Sequence, residues 1–187
     1  MKRLFLFLLV LGVAGGFAFS ADLMDYPPSL EGGNILVDIG IGYAFLPTRL
    51  NSDPTMKIPP IVLSAEYCLP SGVPISVGAL AGFYQCEWTG GTNWAETWTF
   101  VTFGARANWH WNIDVSWLDL YTGAFFGYTL YSYINDGNPQ IGHIHPSYGG
   151  LSFGGQAGAH IYLSKHLGFV AEMGYPFVAK AGLALKF

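Results

Sequence analysis

Read as a strand, Thr102–Ile113 (TFGARANWHWNI) splits into two unlike faces, because successive side chains of an extended chain point to opposite sides. Phe103, Ala105, Ala107, Trp109, Trp111 and Ile113 share one face; Gly104, Arg106, Asn108, His110 and Asn112 share the other. The same period of two recurs over residues 34–45, 61–69, 75–84, 118–128, 151–161, 169–175 and 179–187, which makes eight runs in all. Every charge within them, Asp38, Glu66, Arg106, Asp119, Glu172, Lys180 and Lys186, falls on the face that carries the glycines. None falls on the apolar face, which is also the aromatic one.

The composition says where that apolar face must go. Charged residues make up 11% of the chain, well under the ~25% usual for soluble domains, while aromatic residues reach 17% and glycine 25 of 187 positions. An even number of strands closed into a barrel pairs every backbone N–H and C=O without water, so lipid can take the place of a core. The fold class expected is therefore all-β: an eight-stranded antiparallel transmembrane β-barrel with its aromatic face toward lipid. Eight strands enclose room for side chains only. The four carboxylates are thus expected to pair with Arg106, Lys180 and Lys186 inside a filled lumen, where unpaired charge is costly. His110 and His160 lie on the same face and are expected to join them. Aromatic girdles are expected at both ends, with Tyr67, Trp109, Trp111, Trp117 and Phe187 at one and Tyr43, Phe45, Phe83, Phe103 and Tyr128 at the other. The competing architecture is a soluble lipocalin-like barrel with the apolar face lining a cavity. It would put Arg106, Glu172 and the glycines on the surface.

Residues 1–20, with Lys2 and Arg3 ahead of an apolar run and small residues at Ala18, Ser20 and Ala21, have the layout of a secretory signal peptide. Residues 21–33 then form a periplasmic arm and 34–187 the barrel. Without Lys2 and Arg3, six basic residues face twelve acidic ones, a balance that disfavours nucleic acid as a partner. The connections PSGVP, NIDVSW and SKHLG are short; residues 47–60, 85–98 and 132–150 are long. Outer-membrane barrels keep short turns in the periplasm, so both termini are expected there. The connection around Pro176 and Phe177 is tight and is expected to contribute little to recognition.

Three tryptophans, Trp88, Trp94 and Trp98, crowd the second long connection. Exposed loop aromatics anchor partners; alternatively they pack on one another or enter the glycolipid interface. His143 and His145, with Asp136 and Ser147 nearby, have the residue types of a metal site or a hydrolytic triad. A Gly/Pro/Asn-rich loop offers neither fixed ligand geometry nor a firm scaffold, so no metal, cofactor or enzymatic activity is expected. Cys68 should sit across from about Ser76, with Cys86 too far up the next strand for a disulfide. Both are expected to be free thiols, Cys68 in the lumen and Cys86 at the extracellular rim.

The closing AGLALKF, alternating through Leu183 and Leu185 to a C-terminal Phe187, resembles the signal that hands bacterial outer-membrane barrels to their assembly machinery. With LDLYTGAFFGY and EMGYPFVAKAGLALKF it makes the chain similar to the small eight-stranded barrel superfamily of OmpA, OmpX and OmpW. That resemblance implies a bacterial outer-membrane location, with outer-membrane lipids and the assembly machinery as partners. Its members act as structural anchors, adhesins, narrow pores for small hydrophobic solutes or lipid-modifying enzymes. No peptidoglycan-binding domain follows, so the anchoring role of full-length OmpA is not expected. A filled structural or surface-recognition barrel, with its extracellular ligand open, is the role expected; a narrow channel for small apolar solutes is the alternative.

Overall fold

The computed structural model of the chain describes residues 28–44, 54–70, 72–90, 94–136 and 148–187. The leader and the His143, His145 and Ser147 cluster lie outside the described residues. Eight strands run in order: β1 (Ile35–Tyr43), β2 (Thr55–Cys68), β3 (Ile75–Gly90), β4 (Trp94–Trp111), β5 (Leu118–Asp136), β6 (Tyr148–Tyr162), β7 (Leu167–Gly174) and β8 (Ala179–Lys186). Each pairs antiparallel with its neighbours, and β8 returns to β1 to close the barrel. The start of β1 and the residue after β8 complete the seam: the Ile35 N–H donates to the Phe187 carbonyl at 2.8 Å and the Phe187 N–H to the Ile35 carbonyl at 2.9 Å. No sheet edge is left at that level, which is what a hydrocarbon surrounding demands.

The faces divide as the alternation requires. Outward side chains are large and apolar, with Ile41 61%, Leu151 70% and Phe153 72% exposed. Soluble monomers rarely leave so continuous an apolar surface in water. Asp38, Glu66, Arg106, Asp119 and Lys180 are buried on the inner face, so the lipocalin-like arrangement is excluded. Inner-face glycines make the lumen wide enough for what fills it: a Cβ at Gly104 or Gly127 would strike the Phe125 ring, and one at Gly158 the Tyr121 phenol.

The wall is uneven in height. β1, β7 and β8 have 9, 8 and 8 residues, whereas β4 and β5 have 18 and 19. A tilted strand crosses a bilayer in ~9–11 residues, so β4 and β5 rise well past the end of β7 and β8. This corrects the expected connections. Residues 85–98 are mostly strand, with β3 and β4 paired as far as Gly90 opposite Trp94. β2 likewise starts at Thr55 and runs through Pro59 and Pro60, with register shifts between Met56 and Ile61 against β3. Those prolines read as loop because they cannot donate to a ladder. They are tolerated where β2 has passed the last β1 pair, Ile41 with Ile61, and a bulge absorbs the mismatch.

At the end that carries both termini, the segment before β1 folds under the barrel. Gly33 adopts a φ of 98°, a left-handed conformation open to glycine at little cost, and its N–H donates to the Cys68 carbonyl at 2.8 Å. The turn puts Leu30 against Leu36, Cys68 and Tyr162 inside the mouth. The Ser29 hydroxyl donates to the Leu118 carbonyl at 3.2 Å, tying the arm to β5.

Candidate functional site

The lumen holds three layers, ordered the same way along each strand that contributes to more than one. Nearest the termini is the apolar group of Leu30, Leu36, Cys68 and Tyr162. Next come the charged groups. Beyond them lies an aromatic layer built on Tyr84, Trp88, Phe100, Phe125 and Phe177, with Val62, Leu80 and Cys86 between the rings.

The charged groups form a closed circuit. Arg106 Nε lies 3.0 Å from Glu66 Oε1, and its Nη2 lies 2.6 Å from Glu172 Oε2. Glu172 faces Lys180 Nζ at 3.6 Å, and Lys180 faces Asp38 at 3.7 Å. His160 bridges Asp38 (3.3 Å from Nε2) and Asp119 (2.8 Å from Nδ1). His110 Nδ1 approaches Asp119 at 2.9 Å and its Nε2 approaches Ser76 Oγ at 2.9 Å. The Ser76 hydroxyl returns the circuit to Glu66 through a short contact. Asn108 Nδ2 donates to Glu66 at 2.7 Å, the Tyr121 hydroxyl to Glu172 at 2.7 Å and the Ser64 hydroxyl to Asp38 at 3.1 Å. Four carboxylates thus alternate with Arg106, Lys180 and two imidazoles. Such pairing offsets the desolvation that burial imposes on each ion.

Ser76, His110 and Asp119 stand in the sequence of contacts found in a hydrolytic triad, but Ser76 Oγ is held by Glu66 as well as by His110. Ser76, His110 and Asp119 are each fully buried, with no exposed surface. The chemistry available to this group is cohesion, and among the described residues no cluster is arranged to hold a metal ion.

Six of the seven predicted lumen charges, Asp38, Glu66, Arg106, Asp119, Glu172 and Lys180, come together here, with both histidines. Lys186 does not. It holds the last inner-facing position of β8, opposite Leu36 in the layer nearest the termini; its Nζ donates to the Ser29 carbonyl at 2.6 Å and sits 4.5 Å from the centre of the Tyr162 ring. Ser76, Asn108 and Tyr121 complete the circuit, and inner-face periodicity places them there; their partners follow only from the register between strands.

Of the readings of the tryptophans, packing on one another is the one the structure bears out, within strands and not in a loop. Trp88 is buried on the inner face of β3 and packs edge-on against Trp98 at 5.7 Å. Trp98 stacks on Tyr133 at 5.0 Å, and Trp94 opens β4 opposite Gly90. Trp88 and Trp98 are strand residues of the inner face, so they pack on one another instead of standing in an exposed loop. Cys68 and Cys86 are both free thiols, and Cys68 pairs with Ser76 as expected. Cys86, however, is fully buried in the aromatic layer and not at an exposed rim. Phe177, from the tight connection after β7, turns into the lumen and meets Tyr84 edge-on at 6.4 Å. Its ring occupies the space that a Cβ at Gly82 would need.

Leu183, Leu185 and Phe187, the predicted assembly signal, lie on the lipid side at 47%, 38% and 62% exposure. No protein-family model and no curated protein matches the sequence. Solved structures do. Neisserial surface protein A is 12% identical with a TM-score of 0.55, over 84% of this chain and 98% of that one. The outer membrane protein OprG from Pseudomonas aeruginosa is 12% identical with a TM-score of 0.54, over 89% of this chain and 99% of that one. Ail, the attachment invasion locus protein of Yersinia pestis, is 14% identical with a TM-score of 0.50, over 84% of this chain and all of that one. At such identities the likeness is one of fold.

Proposed function

We propose that this small outer-membrane β-barrel is a filled, non-conducting surface protein whose tall hairpins act outside the cell and whose termini face the periplasm. One observation carries the reading: the lumen is occupied in three successive layers, by Leu30 and Tyr162, by the ionic circuit and by the Phe177-capped rings. A conduit needs a continuous opening, and none of these layers leaves its charges or rings facing an open path. Purified protein in planar bilayers is expected to give no unitary current steps; a steady, reproducible conductance would overturn the reading in favour of a channel for small solutes. The role is non-catalytic, consistent with the complete burial of Ser76, His110 and Asp119.

Orientation follows from the height of the wall. Short turns, the start of β1 and the end of β8 share one end, and β3 to β6 extend past the bilayer at the other. An epitope inserted after Gly137 is expected to be stained on intact cells. The likeness in fold to a neisserial surface protein and to Ail supports an outward-facing role without naming a ligand.

The assembly machinery is the partner proposed for β8. Phe187 also makes two backbone bonds that close the barrel, so deleting it would confound recognition with closure. Phe187→Ala keeps both bonds. It is expected to lower outer-membrane yield in cells while leaving refolding into detergent unchanged; equal yields in cells would remove the assembly role.

A further inference from the structure

Beneath the lumen, at the mouth that carries the termini, the arm before β1 and the turns after β4 and β6 enclose an open pocket of ≈ 480 Å³. Lys165, Lys186 and Glu31 line it, together with Tyr162, Trp117 and Leu163. Lys186 is fixed there by its bond to the Ser29 carbonyl and by the Tyr162 ring, which leaves the other protons of its ammonium group to turn elsewhere. The Tyr162 hydroxyl is buried without a hydrogen-bond partner. The buried hydroxyl turns away from the pocket into the lumen, and it is the ring that the pocket meets. Trp117 and Leu163 are 53% and 64% exposed. They belong to the same end as the outward-facing Phe187, where aromatic side chains of a barrel meet the headgroup region. The pocket therefore combines two cations and one anion with an apolar lip on the lipid side.

We propose that this pocket binds the phosphoethanolamine headgroup of a membrane phospholipid, with the phosphate held by Lys165 and Lys186 and the ammonium group by Glu31. The acyl chains run along Leu163 and Trp117. The inference rests on the reading above, in which this end faces the inner leaflet.

Native mass spectrometry of the full barrel released from nanodiscs of phosphatidylethanolamine and phosphatidylglycerol tests it. Wild-type protein is expected to retain one phosphatidylethanolamine. Lys165→Gln combined with Lys186→Gln is expected to retain it about tenfold less, the scale of losing a charge-assisted hydrogen bond. Lys165→Gln alone, in an exposed turn, gives the same reading in smaller measure if the double variant does not fold. Glu31→Gln is expected to abolish the preference over phosphatidylglycerol while leaving total lipid unchanged. Soluble glycerophosphoethanolamine should not displace the lipid; displacement at equal concentration would assign the site to a free headgroup compound and overturn its lipid occupant. A folded, inserted barrel with no retained lipid, or with equal retention in the variants, overturns the proposal and leaves the surface-barrel reading standing. Failure of the wild type to insert overturns that reading and the proposal with it.

Discussion

The ionic circuit and the aromatic layer fill the same lumen with opposite logic. In the circuit every strand supplies a member: Asp38 from β1, Glu66 from β2, Ser76 from β3, Arg106 and His110 from β4, Asp119 from β5, His160 from β6, Glu172 from β7 and Lys180 from β8. A slip of one residue in any strand would send its member to the lipid face, so the circuit reads the register of the whole barrel. The rings of the aromatic layer make no such demand. Tyr84 on Phe100 at 4.5 Å, and Phe100 near Trp98 at 6.2 Å, exclude water through area and shape. A directional network specifies one arrangement, whereas a stack of rings fills whatever arrangement has been specified.

Substitutions should separate the two. Arg106→Leu leaves Glu66 and Glu172 buried without their shared cation, and is expected to cost ~3–5 kcal/mol in a urea refolding titration into lipid vesicles. Gly82→Ala pushes against the Phe177 ring and is expected to cost ~1–3 kcal/mol by overpacking, read in the same titration. Phe100→Leu keeps an apolar group of similar bulk in a layer without directional bonds, and is expected to cost less than ~1.5 kcal/mol. Should Phe100→Leu prove as damaging as Arg106→Leu, the distinction between the layers fails. Lys57→Ala removes an exposed pair with Glu87 at 2.8 Å. Exposed pairs contribute little and are screened by salt, so the midpoint of unfolding should not move at either low or high ionic strength.

Much of this was legible before any coordinates, and the reason is the simple period of a strand. Inward placement of Arg106, Asp119 and Glu172 needed only the parity of their positions within runs whose other face was apolar. Parity also puts Ser76 and His110 inside, but their contact joins β3 to β4, and which residues meet across strands depends on register and on the tilt of the barrel. Lys186 shows the same limit along the axis: parity put it inside, while its level beside Leu36 keeps it away from the carboxylates. Trp88 and Trp98 were misplaced because Thr89–Asn93 carries a strong turn signal, and the chain on either side was read as loop; the alternation Gln85, Cys86, Glu87, Trp88 was there to find. Pro59 and Pro60 hid the start of β2 in a different way, since a proline says only that one backbone donor is missing. Phe177 left no signal at all. A single aromatic residue in a four-residue turn points inward because Gly82 across the lumen leaves it space, and that relation connects residues distant in the chain.

The seam between Ile35 and Phe187 has a consequence in time. β1 is made first and β8 last, so one edge of β1 stays without its partner until β8 has been made. Until then the chain presents two open strand edges, and open edges recruit whatever strands are near. Contacts of such long sequence separation also form slowly. A nascent chain of this kind needs to be kept from pairing with its neighbours until β8 meets β1 and both open edges vanish together.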